Sequence, residues 1–114
     1  MKINPTHNVE LYLGSVNEET KETFSYEDLV REVGSFQDDL EKHIPVCIAS
    51  VEFISGSRYR ETGWKISAIN YPRVGNSPKN IDKFMLDLGR ILLFRFKQNR
   101  ITVIGSDKTV MLGK

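Results

Sequence analysis

The sequence is poor in the residue types from which metal sites and disulfide frameworks are built. It has one cysteine, Cys47, and two histidines among 114 residues. A single cysteine excludes an internal disulfide, and so few soft ligands exclude a usual four-ligand zinc site, so we predict neither a metal nor a cofactor. Because Cys47 lies in an apolar, strand-like run, we interpret it as a small buried side chain and not as a nucleophile.

An excess of charge of one sign is also missing. The chain has 16 basic and 15 acidic residues and a formal net charge of +1, so no overall field attracts nucleic acid or an anionic membrane. Its apolar runs are only a few residues long, and its first residues, MKINPTHN, are polar. We therefore predict no membrane span and no export signal, and we expect a cytoplasmic protein.

Familiar catalytic motifs are absent as well. There is no glycine-rich phosphate loop, no nucleophile elbow and no His-x-x-x-His pair, and these absences favour a protein that is not an enzyme. One enzymatic alternative stays open. His43 lies beside an apolar strand and could serve as the general base of a dimeric ferredoxin-like enzyme with a cavity beneath its helices.

The periodicity of the apolar residues predicts a single domain over residues 1–114, with a flexible tail at residues 1–8. Residues 9–13 are typical of a first strand. Ser25 opens a helix through a capping box with Asp28, and we expect that helix to end at His43 and Pro45.

The next two segments predict a hairpin. Residues 45–55 form a near-continuous apolar run that is typical of a central strand, and residues 58–72 alternate as its antiparallel partner. Two further strands are predicted at residues 100–104 and 109–112, with Asn99 as the left-handed C-cap of the helix that precedes them.

That helix is the longest periodic segment of the chain. Ser77 is its predicted N-cap, with Pro78 at the first helical position. One apolar stripe fits a core face. A second stripe lies off it and predicts an interface with another copy of the chain; its residues are Leu86, Gly89, Leu93 and Phe94.

The resulting order is strand, helix, strand, strand, helix, strand, with a short terminal strand added. This is the split βαβ pattern of a ferredoxin-like α+β sandwich, in which two helices cover one face of an antiparallel sheet. The other face is left open, and an open face in a small domain meets water, a second copy or a ligand.

Basic and aromatic residues gather in and beside the predicted hairpin. Guanidinium groups grip phosphate and aromatic faces stack on bases, so the group suits a small anionic, nucleotide-like ligand. An ordinary solvent-facing sheet would explain each residue taken alone equally well. The predicted ligand-binding residues are Arg58, Tyr59, Arg60, Lys65, Tyr71, Arg73 and, at the same edge, Arg100.

The strand order is shared with RNA-recognition modules, and residues 62–66, TGWKI, partly match the basic-Gly-aromatic opening of their signature. The later aromatic residues of that signature are missing, so a single-stranded RNA or DNA module is the weaker alternative. A protein–protein inhibitor that docks through Leu93 and Phe94 is another.

Two stretches, AINYPR at residues 68–73 and QNRITVIGSDKTVML at residues 98–112, resemble parts of small uncharacterised proteins of bacteriophages and prophages. The resemblance implies a compact phage accessory protein of counter-defence type, a class that includes oligomers which sequester nucleotide signals. Together with the hairpin cluster, it leads to our first hypothesis: a non-enzymatic, homo-oligomeric protein of the bacterial host cytoplasm that sequesters a small anionic ligand.

Overall fold

A computed structural model describes residues 1, 3, 6–41, 43–70 and 76–113. Its elements are β1 Asn8–Gly14, α1 Tyr26–Asp38, β2 Cys47–Ser55, β3 Tyr59–Ile69, α2 Pro78–Arg95, β4 Arg100–Ile104 and β5 Thr109–Gly113. The strands form one antiparallel sheet in the order β2-β3-β1-β4-β5. This arrangement confirms the predicted ferredoxin-like α+β sandwich, with β5 added beside β4.

Both helices contribute to one core against one face of the sheet. Val9, Leu11 and Leu13 alternate along β1 and are at most 2% exposed, and they join Leu29 of α1 and Leu88 of α2 in a single buried cluster. Because successive side chains of a strand point to opposite faces, the residues between them lie on the face that the helices do not cover.

Helix α1 begins as predicted but ends earlier. The Ser25 side chain accepts a hydrogen bond from the Asp28 backbone, and the Asp28 side chain accepts one from the Ser25 backbone. The helix ends at Asp38 with Asp39 as its C-cap, well before His43, which corrects the predicted end. Acidic residues at the negative end of the helix dipole disfavour a further turn.

Helix α2 has the predicted start, with Ser77 as N-cap and Pro78 in its first turn. Its end differs from the prediction. The backbone N–H of Gln98 bonds to the carbonyl of Leu93, and that of Lys97 to the carbonyl of Phe94, while Lys97 has a φ of 50°. This is a Schellman motif with Lys97 in the left-handed position, so the predicted role of Asn99 as C-cap is wrong.

The apolar run in β2 also needs a correction. Its predicted place was the centre of the sheet, but β2 is an edge strand that pairs with β3 alone. Cys47 is exposed, which overturns its interpretation as a buried residue. The run is apolar on both faces because Ile48 packs towards the core, whereas Phe53, an odd number of residues away, lies on the open face.

Candidate functional site

The face of the sheet that the helices leave open carries a group of hydrogen-bonded polar and aromatic side chains. Strand β1 contributes Glu10 and Tyr12 there, because they alternate with its core residues. The register pairs Tyr12 with Lys65 of β3 and with Thr102 of β4, so side chains from three strands meet around Tyr12.

Glu10 and Tyr12 form a pair on β1. The Tyr12 hydroxyl donates a hydrogen bond of 2.5 Å to Glu10 Oε2. That bond is the main reason why the pKa of Glu10 is lowered, and Lys65 lowers it further. The same bond, with help from burial, raises the pKa of Tyr12. At neutral pH the pair therefore holds a neutral phenol against a carboxylate.

A second tyrosine–glutamate pair lies on β3. The Tyr59 hydroxyl donates a hydrogen bond of 2.5 Å to Glu61 Oε2, and this bond raises the pKa of Tyr59. The other carboxylate oxygen, Oε1, lies over Gly14 so closely that a Cβ atom at Gly14 would collide with it. The glycine in β1 thus makes room for the acid of β3.

Phe53 of β2 brings a ring to the same area. It meets the Tyr12 ring edge to face, with centroids 6.4 Å apart and planes at 69°. Gly63 admits this ring, since a Cβ atom there would collide with Phe53 and lie 2.5 Å from the Leu13 carbonyl oxygen.

One cleft of about 230 Å³ is lined by Tyr12, Phe53, Tyr59 and Glu61, whereas Glu10 is not part of its wall. Its walls include the rings of Tyr12, Phe53 and Tyr59, the carboxylate of Glu61 and the guanidinium of Arg100. Such a cleft offers aromatic faces, the two carboxylates of Glu18 and Glu61, and the positive charge of Arg100 within one open pocket. It suits a small molecule that carries a ring, a cation and a carboxylate.

The structure separates the predicted ligand-binding residues. Tyr59 and Arg100 line the cleft, and Lys65 lies on the same face beside Tyr12. Arg60 follows Tyr59 on the strand and so points to the other face, where its guanidinium holds Glu52 through bonds of 2.6 and 3.0 Å.

Three predicted ligand residues remain. Arg58 is exposed between β2 and β3. Tyr71 and Arg73 lie outside the residues that the structure describes, so their role stays a prediction. His43, the predicted base of the enzymatic alternative, is exposed and does not line the cleft.

The residues of the second α2 stripe differ in exposure. Gly89 is buried, and a Cβ atom there would lie 2.7 Å from Leu112 Cδ1 of β5. Leu86 and Leu93 are partly buried against the core, whereas Phe94 is 67% exposed. The predicted oligomer interface stays a prediction, and Phe94 is the member of the stripe most open to a partner.

The sequence contained a signal for the residues that the prediction missed. Glu10, Tyr12 and Glu61 belong to two Tyr/Glu pairs spaced by two residues on predicted strands, Glu-x-Tyr in β1 and Tyr-x-Glu in β3. That spacing places both members of a pair on one face. What the sequence did not specify was the register of β1 against β3, which places Gly14 opposite Gly63 and so brings the two pairs close together.

Among the described residues, no three His, Cys, Asp or Glu side chains lie together as metal ligands. Within the same part of the chain, no helix is long and apolar enough to cross a membrane.

No family model and no curated protein matches the chain. Two solved structures do match over its whole length. One is a phage SAM lyase in the apo state, with a TM-score of 0.81 and 16% identity. The other is a phage SAM lyase in complex with S-methyl-5'-thioadenosine, with a TM-score of 0.75 and 15% identity. Each comparison covers 100% of this chain and 94% of the other.

At this identity the likeness shows a shared fold. It also corrects the first hypothesis: the prediction of a non-enzymatic, ligand-sequestering protein is wrong, because the fold that the chain shares from end to end is that of an enzyme. The phage origin of both neighbours supports the broader part of the resemblance, a phage accessory protein.

Proposed function

We propose that this protein is a lyase that cleaves S-adenosylmethionine, and that the open-face cleft between Tyr12, Phe53 and Glu61 is its active site. The observation that carries the proposal is the full-length match to a phage SAM lyase, with a TM-score of 0.81. The cleft supplies the second support, because its side chains complement each part of that substrate.

The adenosyl part needs an aromatic wall. The neighbouring lyase binds S-methyl-5'-thioadenosine, which has an adenine ring and an uncharged thioether. In this chain Phe53 and Tyr12 already meet edge to face, and Tyr59 lines the same cleft. A purine that stacks on one of these rings gains about 1–3 kcal/mol, without any base-specific hydrogen bond.

The sulfonium and amino-acid parts need charges. A carboxylate attracts the sulfonium and the ammonium, and an aromatic face attracts any cation within about 6 Å of its centroid. Glu61 on β3 provides the carboxylate and Tyr12 on the adjacent strand β1 provides the aromatic face, and both line the cleft. Arg100 lies in the same cleft and can grip the substrate carboxylate through two parallel hydrogen bonds.

The chemistry suits such a site. S-methyl-5'-thioadenosine keeps the methyl and adenosyl groups on sulfur, so the bond that breaks joins sulfur to the γ-carbon of the amino-acid part. Sulfur takes both electrons of that bond and loses its positive charge. A lyase adds no water, so an oxygen of the substrate's own carboxylate supplies the electron pair that forms the new bond to the γ-carbon. The amino-acid part then leaves as a five-membered lactone that keeps its ammonium group and the positive charge.

Because the sulfur loses its positive charge in the reaction, the carboxylate of Glu61 and the rings of Phe53 and Tyr12 have different roles. A carboxylate beside the sulfonium stabilises the bound substrate more than the transition state, so Glu61 contributes mainly to binding. Aromatic walls exclude water and favour the state of lower charge, so Phe53 and Tyr12 contribute to the rate.

In the cell, such an activity would remove the methyl donor of host methylation, and we assign it to the cytoplasm of the bacterial host. Removal of the host's methyl donor would be a counter-defence role carried out by a lyase. It needs no second protein, although the predicted homo-oligomer is compatible with it.

The test is to incubate the purified chain with S-adenosylmethionine and to measure S-methyl-5'-thioadenosine by liquid chromatography and mass spectrometry. We expect turnover by the parent chain and a KM raised at least about tenfold in Glu61→Gln, the loss of one charge-assisted contact. Glu52→Gln, which removes an acid on the opposite face, is the matched control and should leave the KM unchanged. No product from the folded parent chain at any substrate concentration would refute the proposal.

A further inference from the structure

Three polar side chains from distant parts of the chain meet at the other end of β1 from the cleft. His7 precedes β1, Asp82 lies on α2, and Ser106 lies in the turn between β4 and β5. His7 Nε2 is 2.7 Å from Asp82 Oδ1, and Ser106 Oγ is 3.1 Å from His7 Nδ1. None of the three lines the cleft, so this cluster is independent of the proposed lyase site.

When the imidazole of His7 is neutral, the chemistry of the three groups sets the direction of both hydrogen bonds. An ionised carboxylate can only accept, so His7 must donate to Asp82 through Nε2–H. In a neutral imidazole the other nitrogen, Nδ1, then carries a lone pair and must accept from Ser106. The serine proton therefore points at a base whose orientation the acid holds.

This is the arrangement by which proteins activate a serine: a nucleophile within hydrogen-bond reach of a base, and a third group that orients the base. It is recognised by geometry and roles, not by sequence order. The side chain of His7 is only 9% exposed, so water competes little for its bond to Asp82. Ser106 is exposed, so its hydroxyl can be reached by a substrate.

A small hollow adjoins the cluster. Its volume is about 30 Å³, and Asp82 lies in its wall beside the apolar side chains of Val103 and Val110. Space of that size admits a single water or a methyl-sized group. Lys108 lines the same hollow and can attract a developing oxyanion, and the carboxylate of Asp107, which also lines it, offsets part of that attraction.

We propose that Ser106 is the nucleophile of a second site, which accepts the acyl group of small activated esters. Ser106 Oγ attacks the ester carbonyl while His7 Nδ1 takes its proton. The tetrahedral oxyanion collapses, and the alcohol leaves with the proton that His7 returns. Water, activated by the same nitrogen, then releases the acid, so that ester and water give acid and alcohol.

The experiment treats the full chain with a fluorophosphonate probe, which bonds covalently to activated serines with loss of fluoride, and locates the label by peptide mass spectrometry. We expect labelling of Ser106, none in Ser106→Ala, and at least about 100-fold slower labelling in His7→Gln, the loss of a general base. Ser57, an exposed serine between β2 and β3, is the internal control and should stay unlabelled.

A purely structural role for the cluster predicts a different outcome. His7 would then tie three segments together, His7→Gln would lower the melting temperature, and Ser106 would react no faster than Ser57. That result overturns the proposal. If His7→Gln fails to fold, Asp82→Asn still decides, because Asp82 is 44% exposed and its loss should slow labelling while the chain stays folded. The parent chain should also hydrolyse p-nitrophenyl acetate faster than Ser106→Ala does, and equal rates would contradict the proposal.

Discussion

The Tyr12 hydroxyl lies 2.5 Å from Oε2 of Glu10, two residues earlier on the same strand. The pairing gives the open sheet face a carboxylate that stays ionised and a phenol that stays neutral, since the bond lowers the pKa of the first and raises the pKa of the second. The hydrogen bond therefore widens the pH range over which Glu10 is ionised and Tyr12 is neutral.

Replacing Tyr12 by phenylalanine removes the donor, so we expect the pKa of Glu10 to rise towards its ordinary value of 4.5. A group with a lowered folded pKa stabilises the fold above its unfolded pKa, and this contribution is lost as the pH falls through the folded pKa. The stability gap between the parent chain and Tyr12→Phe should therefore shrink below about pH 4.5.

The measurement is an NMR titration of the Glu10 side-chain carboxyl carbon, with denaturation at several pH values. Tyr59→Phe is the control, because Tyr59 bonds to Glu61 and its loss should leave the Glu10 titration unchanged. Superimposable Glu10 curves in the parent chain and Tyr12→Phe would mean that the hydrogen bond does not set the pKa.

Alanine substitutions at two glycines should change the free energy of unfolding in opposite directions. A Cβ atom at Gly63 would collide with the Phe53 ring and lie 2.5 Å from the backbone oxygen of Leu13, so we expect Gly63→Ala to lower the free energy of unfolding by about 1–3 kcal/mol. At Gly34, inside α1, a Cβ atom meets nothing within 4 Å. Gly34→Ala should raise it by about 0.4–1 kcal/mol. Urea denaturation measures both, and equal signs would contradict the geometry.

Much of the fold could be predicted because local chemistry fixes it. The capping box at Ser25 and the Ser77-Pro78 start of α2 are short-range signals, and both are present as expected. The end of α2 could not be predicted as well. Asn99 is the better residue for a left-handed position, but the Schellman bonds place Lys97 there, because Phe96 is buried and the chain must turn just after it.

The site was harder to predict than the fold because it depends on contacts between strands. Tyr59 was identified from its basic and aromatic neighbours, and Arg100 from its place at the helix-to-strand corner. Glu61 was missed because an isolated acid on a strand is typical of solvated surface. Its position over Gly14 arises from the pairing of β1 with β3, which no local pattern specifies.

The exposed ring of Phe94 leads to a prediction about assembly. It is 67% exposed, and Lys97 Nζ lies 4.5 Å from its centroid. If the predicted homo-oligomer uses this surface, Phe94→Ser should shift the molar mass from that of the oligomer to that of the monomer in light scattering after size exclusion. Tyr26→Ser, which changes an exposed ring on α1, is the control. A parent chain that is monomeric at high concentration would contradict the predicted interface.

Arg100 on β4 and Arg60 on β3 lie on opposite faces of the sheet. Substituting each in turn therefore tests whether the substrate binds in the cleft or on the other face. Arg100 lines the cleft, whereas Arg60 points away from it and is bound to Glu52. We expect Arg100→Ala to raise the KM for S-adenosylmethionine at least about tenfold, the loss of one charge-assisted contact to the substrate carboxylate. Arg60→Ala should leave the KM unchanged and change the free energy of unfolding little, because the Arg60–Glu52 pair is exposed. Steady-state kinetics with equilibrium denaturation measures both effects. If Arg60→Ala raises the KM for S-adenosylmethionine and Arg100→Ala does not, the substrate binds on the face of the sheet opposite to the cleft.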